Sequence, residues 1–209
     1  MTYTIWAIIG YLIGSIPFGL ILTKIAKTED IRKIGSGNIG ATNVLRTGRK
    51  DLAALTVLFD VSKAAIVAIL AYRLTTSEGI TLFSHFTTTN ILTSLIAGSS
   101  AIIGHNFPIW LKFKGGKGVA PAFGFIVVTS PIVGLLALIT WLFMAFTFKY
   151  SSLSAITAAI AVPVFSYFFA APIYNYFYLP IIVIVLILHS KNIKRLLKKE
   201  ESKISFKKK

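Results

Sequence analysis

The chain has 209 residues, 55% hydrophobic and only 14% charged, with a mean hydropathy of +0.76 and a formal net charge of +15. A water-soluble domain of this size carries about 25% charged residues, so an ordinary soluble core is excluded. There is no cysteine, which excludes thiol catalysis, thiolate metal sites and disulfides.

A bilayer core about 30 Å thick is crossed by about 20 apolar helical residues. Residues 2–23 meet that requirement. No Lys or Arg precedes Lys24, and the apolar run continues through Gly14-Ser15-Ile16-Pro17. It therefore reads as a retained first span rather than a secretory signal. A basic segment follows, with Lys24, Lys27, Arg32, Lys33, Arg46, Arg49 and Lys50, and then a second span over 52–72. Residues 73–90 hold only Arg73, with Glu78 beside it, before a third span over 91–111. Lys112, Lys114 and Lys117 form the next basic loop. The short apolar stretch 118–130, with Pro121 and Pro131 near its ends, precedes spans at 132–148, 153–171 and 173–189. The tail carries Lys191, Lys194, Arg195, Lys198, Lys199, Lys203, Lys207, Lys208 and Lys209.

Basic residues in short loops mark the cytoplasmic side. The first basic segment, the 112–117 loop and the tail are therefore expected to share the cytosol, with 73–90 outside. Between the 112–117 loop and the tail the chain then crosses an even number of times. Three clear spans follow residue 130, so 118–130 supplies a fourth, tilted or partly re-entrant. The expected fold is an all-α integral membrane protein of seven transmembrane helices, N-terminus outside and C-terminus cytosolic. Residues 1–192 form the catalytic membrane domain and 193–209 a basic cytosolic tail near anionic lipid. Trp6, Trp110, Trp141 and Tyr150 fall near span ends, as interfacial anchors would.

Polar groups beside spans are costly unless paired, and so are functional candidates. Four clusters map to the cytosolic face. The first is Gly35-Ser36-Gly37-Asn38-Ile39-Gly40-Ala41-Thr42-Asn43, followed by Arg46. Glycines let backbone N–H groups turn toward an anion, and the Arg46 guanidinium suits phosphate oxygens. The second is Gly104-His105-Asn106-Phe107-Pro108 with Lys112-Phe113-Lys114-Gly115-Gly116-Lys117-Gly118. Glycines between lysines at a helix start suggest a phosphate cradle, although the P-loop spacing is absent. The third is Ser151-Ser152, and the fourth His189 with Asn192, three residues apart on one helix face. Within the second span, Asp60 and Lys63 stand at i, i+3. They form either a structural ion pair or a Lys63 that reaches the cytosolic cavity and joins the phosphate-binding cations. His85, in the external segment, is a bystander.

Taken in order, these motifs resemble the bacterial acyl-phosphate:glycerol-3-phosphate acyltransferase family. The likeness starts at Gly14-Ser15-Ile16-Pro17-Phe18-Gly19 and Asp30-Ile31-Arg32 and runs through the clusters to His189-x-x-Asn192-Ile193-Lys194-Arg195-Leu196. Two departures stand out. Ala64 replaces the Gly that usually follows the second-span Asp-x-x-Lys, and Ser190 and Lys191 replace the Arg and Glu of a His-Arg-Glu-Asn motif. The second departure puts a catalytic role for that acid in doubt.

The resemblance implies acyl transfer from acyl phosphate to the 1-hydroxyl of sn-glycerol 3-phosphate, giving lysophosphatidic acid and phosphate, with no cofactor and no metal. It implies a multi-pass protein of the bacterial inner membrane with its active site facing the cytosol, two phosphorylated substrates, no nucleic-acid partner, and a possible soluble partner enzyme that makes acyl phosphate. Both substrates carry phosphate and the clusters are cationic or donor-rich, an agreement independent of the family likeness. The expected catalytic residues are Ser36, Arg46, Lys114, His189 and Asn192. Gly37, Asn38, Thr42, Asn43, Lys63, Gly115, Gly116, Lys117, Ser151 and Ser152 are expected to bind substrate or phosphate. The proton of the glycerol hydroxyl goes to His189 or to the departing phosphate, while His105 supports loop structure. A transporter for phosphorylated metabolites is the alternative, but it predicts polar residues on both membrane faces. A His-x4-Asp motif is excluded at His105 by the intervening residues up to Trp110, and a Gly-x-Ser-x-Gly elbow is absent.

Overall fold

The computed structural model describes residues 1–204, and they fold into two compact units. Lys207, Lys208 and Lys209 of the expected basic tail lie outside the described residues.

The first unit covers Met1–Thr129. It opens with α1 (Thr2–Gly14) and α2 (Phe18–Ile25). The expected continuous first helix is thus interrupted at Ser15-Ile16-Pro17. Proline brings no N–H to the ladder and disfavours helical backbone in the residue before it. Next come α3 (Ala41–Val44), a 3-10 turn over Leu45–Thr47 and the long α4 (Lys50–Leu74). A hairpin of β1 (Gly79–Leu82) and β2 (His85–Thr88) pairs Gly79 with Thr88 and Leu82 with His85. Helix α5 (Thr89–Asn106), a 3-10 turn over Ile109–Leu111 and α6 (Val119–Thr129) complete the unit.

Helix α5 lies at the centre, packed by α1, α4 and α6. It is rich in Ser, Thr and Asn, and it buries most of its length, including Asn90, Thr93, Ser94, His105 and Asn106. A helix sheathed by other helices needs no apolar coat of its own, and small residues let such helices approach closely. Gly10 and Gly14, one turn apart on α1, lie directly against the backbones of Ala97 and Ala101 on α5. Any side chain at either position would collide with that backbone.

The second unit begins at Ser130. It consists of α7 (Pro131–Phe148), α8 (Ser151–Phe169), α9 (Ile173–Leu188) and α10 (Ser190–Leu197). Lys149, in left-handed conformation at φ 62°, ends α7, and two residues suffice to turn the chain into α8. Between α9 and α10 the axis bends by 56° at His189. The expected domain boundary at 192/193 falls inside α10.

Among the described residues, four stretches are long and apolar enough to cross a membrane: Thr2–Ile25, Lys50–Leu74, Pro131–Phe148 and Ser151–Phe169. The bent pair α9 and α10 makes a fifth if taken as one span. Helix α6, with 11 residues, reaches about 16 Å at 1.5 Å per residue, roughly half the hydrocarbon thickness.

Candidate active site

In the first unit, the Gly-rich turn is held from below by Asn43, which is buried. Its Nδ2 donates to the Ile31 carbonyl at 2.5 Å and the Ile34 carbonyl at 3.2 Å. Its Oδ1 accepts from the Ser36 amide at 3.2 Å and Arg46 Nη1 at 3.1 Å. Two protons and two lone pairs are then all engaged, so Asn43 shapes the turn and fixes Arg46. Asn38 Oδ1 accepts from the Gly40 amide at 2.8 Å, an Asx turn, and the Asn38 amide approaches Ser36 Oγ at 3.4 Å. Gly37 sits at φ +69°, where side chains are disfavoured. Ser36, Thr42 and Arg46 are exposed at the rim. Nearby, the Arg32 guanidinium hydrogen-bonds the Asp30 carboxylate at 2.6 Å and lowers its pKa to about 2. Arg32 is thereby committed to its own loop.

The second cluster folds back onto the C-terminus of α5. The Gly115 and Gly116 amides donate to the Asn106 and His105 carbonyls at 3.1 and 3.0 Å. Those N–H groups, expected to cradle phosphate, are therefore used in closing the helix end. What the loop offers an anion is Lys114, exposed, and Lys117, half-buried. Gly116 is required for another reason: a Cβ there would strike the His105 ring.

Beneath the loop lies a network that the sequence suggested only as a pair. Lys63 Nζ donates to His105 Nδ1 at 2.8 Å and the Ile16 carbonyl at 3.2 Å, and forms an ion pair with Asp60 Oδ1 at 3.0 Å. An ammonium only donates, so Nδ1 of His105 accepts and its proton lies on Nε2. Asp60, Lys63 and His105 are all buried. Lys63 is thus held in place by its ion pair with Asp60 and by its bonds to His105 and the Ile16 carbonyl. The ion-pair reading holds, with His105 as its third member. Asn106 is also buried, lies against Gly118 at the start of α6, and has no hydrogen-bond partner for either amide atom.

The two clusters share one hydrophobic floor. Ile31, Ile39 and Val44 from the Gly-rich segment join Leu52 and Ala53 of α4 in a buried cluster, and Leu111, just ahead of the lysine loop, packs against it. The structure thus brings Ser36, Gly37, Asn38 and Arg46 to the same end of the first unit as Lys114 and Lys117.

In the second unit, Ser151 and Ser152 start α8, and His189 and Asn192 flank the bend into α10. Ser152, His189 and Asn192 are buried. His189 Nδ1 lies 2.7 Å from the Val185 carbonyl. A carbonyl only accepts, so Nδ1 carries the proton and the basic lone pair is on Nε2. Sequence reasoning missed Glu201. Its Oε1 accepts from Ser152 Oγ and Asn192 Nδ2, each at 2.7 Å, and its Oε2 from Arg195 Nε at 2.6 Å. Burial raises its pKa, but the bonds from Arg195, Ser152 and Asn192 together leave it below the usual glutamate value. The only signal in the sequence was a pair of acids, Glu200 and Glu201, in an otherwise basic tail.

A family profile described as glycerol-3-phosphate acyltransferase matches residues 4–199. A glycerol-3-phosphate acyltransferase of Rhodospirillum rubrum is 49% identical over 97% of this chain and 91% of its own length. One of Caulobacter vibrioides is 50% identical over 95% of this chain and 86% of its own. Among solved structures, PlsY (YgiH), an integral membrane glycerol 3-phosphate acyltransferase, superposes in its glycerol 3-phosphate form with a TM-score of 0.85 at 32% identity, over 98% of this chain and 96% of that one. Its lysophosphatidic acid form gives 0.84. The motifs, the helical membrane architecture and these likenesses agree over almost the full length: the chain belongs to the glycerol-3-phosphate acyltransferase family.

Proposed function

We propose that the chain transfers a fatty acyl group from acyl phosphate to the 1-hydroxyl of sn-glycerol 3-phosphate, releasing lysophosphatidic acid and phosphate. Acylation of glycerol 3-phosphate to lysophosphatidic acid is the family's activity, and the forms in which the related enzyme was solved carry its acceptor and its product. The observation that carries the reading to these residues is the shared floor in the first unit, which sets Arg46, fixed by Asn43, and the Lys114–Lys117 loop at one end. Cationic side chains there suit phosphate groups.

Acyl phosphate is a mixed anhydride with a good leaving group, so a covalent acyl-enzyme is unnecessary. The acceptor hydroxyl oxygen bonds to the acyl carbon, the carbon–oxygen bond to phosphate breaks, and phosphate leaves with the electron pair. Arg46, Lys114 and Lys117 hold phosphate oxygens, while Ser36, Asn38 and the Gly37 turn orient the acceptor or the developing oxyanion. His189, with its Nδ1–H committed to Val185, takes the hydroxyl proton on Nε2. A soluble enzyme that makes acyl phosphate would be its supplier.

The same reading places the chain in the bacterial inner membrane with seven spans, N-terminus outside, C-terminus and active site cytosolic. The distribution of basic residues supports it. The deciding assay gives purified protein acyl phosphate, acyl-CoA or an acyl carrier protein conjugate, each with glycerol 3-phosphate. Lysophosphatidate from acyl phosphate is expected, and product from acyl-CoA alone overturns the donor. Because the chain lacks cysteine, Ser36→Cys and Lys114→Cys, both at exposed positions, report sidedness cleanly. Labelling of the two from opposite faces overturns the topology.

A further inference from the structure

The end of the described tail is tied down by several bonds. The Glu200 amide donates to the Arg195 carbonyl at 2.8 Å, and the Ile204 amide to the Lys149 carbonyl at 2.6 Å. Lys203 Nζ stands 5.6 Å from the centre of the Tyr150 ring. These contacts lay residues 200–204 across the start of α8 and deliver Glu201 inward. Its side chain is only 7% exposed, against 36% for Arg195.

What that carboxylate touches sets its role. An ionised carboxylate accepts only, so Ser152 and Asn192 must both donate to it. Ser152 has a single hydroxyl proton, and Glu201 Oε1 takes it at 2.7 Å. Asn192 commits one Nδ2–H to the same oxygen, also at 2.7 Å, which determines which way its amide faces. Arg195 meets the second oxygen and holds the carboxylate in place. One acid thus engages two side chains from two helices, α8 and α10.

We propose that Glu201 is a positioning residue for acyl transfer: it converts Ser152 into a hydrogen-bond acceptor directed at a substrate hydroxyl and holds the Asn192 amide in one orientation. This rests on the reading of Ser152 and Asn192 as substrate-facing. It also sharpens that reading, because a serine whose proton is spent cannot donate to a phosphate oxygen. The group Ser152 suits is the alcohol of the acceptor, whose proton can point at a Ser152 lone pair.

The experiment measures kcat and KM for glycerol 3-phosphate at saturating acyl phosphate, in the full-length protein, together with its thermal midpoint. Glu201→Gln keeps the shape but loses the charge, and it presents Ser152 and Asn192 with a mixed donor–acceptor. It is expected to reduce kcat/KM for glycerol 3-phosphate by about 10-fold, within the range that small misplacements of reacting groups cost. Glu201→Asp, which keeps the carboxylate, recovers part of the loss. Ser152→Ala combined with Glu201→Gln loses no more than the worse single variant, since the two act as one unit. Three outcomes overturn the proposal: wild-type kcat/KM in Glu201→Gln, losses that multiply in the double variant, or a loss that follows the thermal midpoint and vanishes on cooling. If the wild-type chain itself makes no lysophosphatidate, the functional reading falls. If it does and Glu201→Gln matches it, only the positioning role falls.

Discussion

The molecule contains two polar networks built from opposite materials. Asp60 and Lys63 from the interior of α4 and His105 from the end of α5, all in the first unit, are almost wholly buried. Glu201, Ser152, Asn192 and Arg195, in the second, are assembled where a tail folds back on a helix start, with Arg195 still open to solvent. Position decides what each network can do. Charges sealed among helices have no water to fall back on, so each depends on its partners for neutralisation. Charges at a half-open end keep water as an alternative partner, which makes them adjustable and individually cheap. The buried network is a foundation: its His105 carbonyl anchors Gly116 and so holds the lysine loop in register. The open network instead sets the orientation of single side chains.

The largest effect is expected from Asp60→Ala, which strands Lys63 among helices. Breaking a buried pair by removing one partner costs about 3–5 kcal/mol, read as a lower thermal midpoint of the protein in detergent. A wild-type midpoint would erase the contrast between the networks. Next is His189→Ala, expected to reduce turnover about 10²-fold while leaving the midpoint close to wild type. Near-normal turnover would instead assign the proton to the departing phosphate. Gly116→Ala is expected to cost about 1–3 kcal/mol by forcing a methyl group onto the His105 ring, and to weaken acyl transfer along with stability because the loop shifts. The smallest effect is acid release of the tail. The Glu201 pKa is lowered in the folded chain, so its contribution is complete above the ordinary glutamate range and lost as pH falls through the lowered value. Amide protection at residues 200–204, taken relative to the intrinsic exchange rate at each pH, should fall on acidification in wild type and be low at all pH values in Glu201→Ala.

Much of the site was legible because its residues come in contiguous runs. A turn such as Gly35–Asn43 shows its glycines and donors in one window, and lysines flanking Gly115-Gly116 do the same. What each residue does was less legible. Asn43 and Lys63 read as a donor and a cation near substrate, and the string does not show the partners that hold them, the Ile31 and Ile34 carbonyls for one and Asp60 and His105 for the other. The hairpin at 79–88 also went unseen. Its strands have four residues each, and its turn places Phe83 and Ser84 at positive φ in place of the Asn-Gly pair that announces such turns.

Sequence by itself determined the membrane class and the basic, glycine-rich loops, because hydropathy, charge and glycine content act locally and survive being read as a string. Only the tertiary structure decided which polar atoms remain available. That depends on hydrogen-bond partners 47 residues apart, as for Lys63 and the Ile16 carbonyl, or 49 apart, as for Ser152 and Glu201. A proton can be given to one acceptor at a time, and no local pattern records which acceptor the fold brings to it.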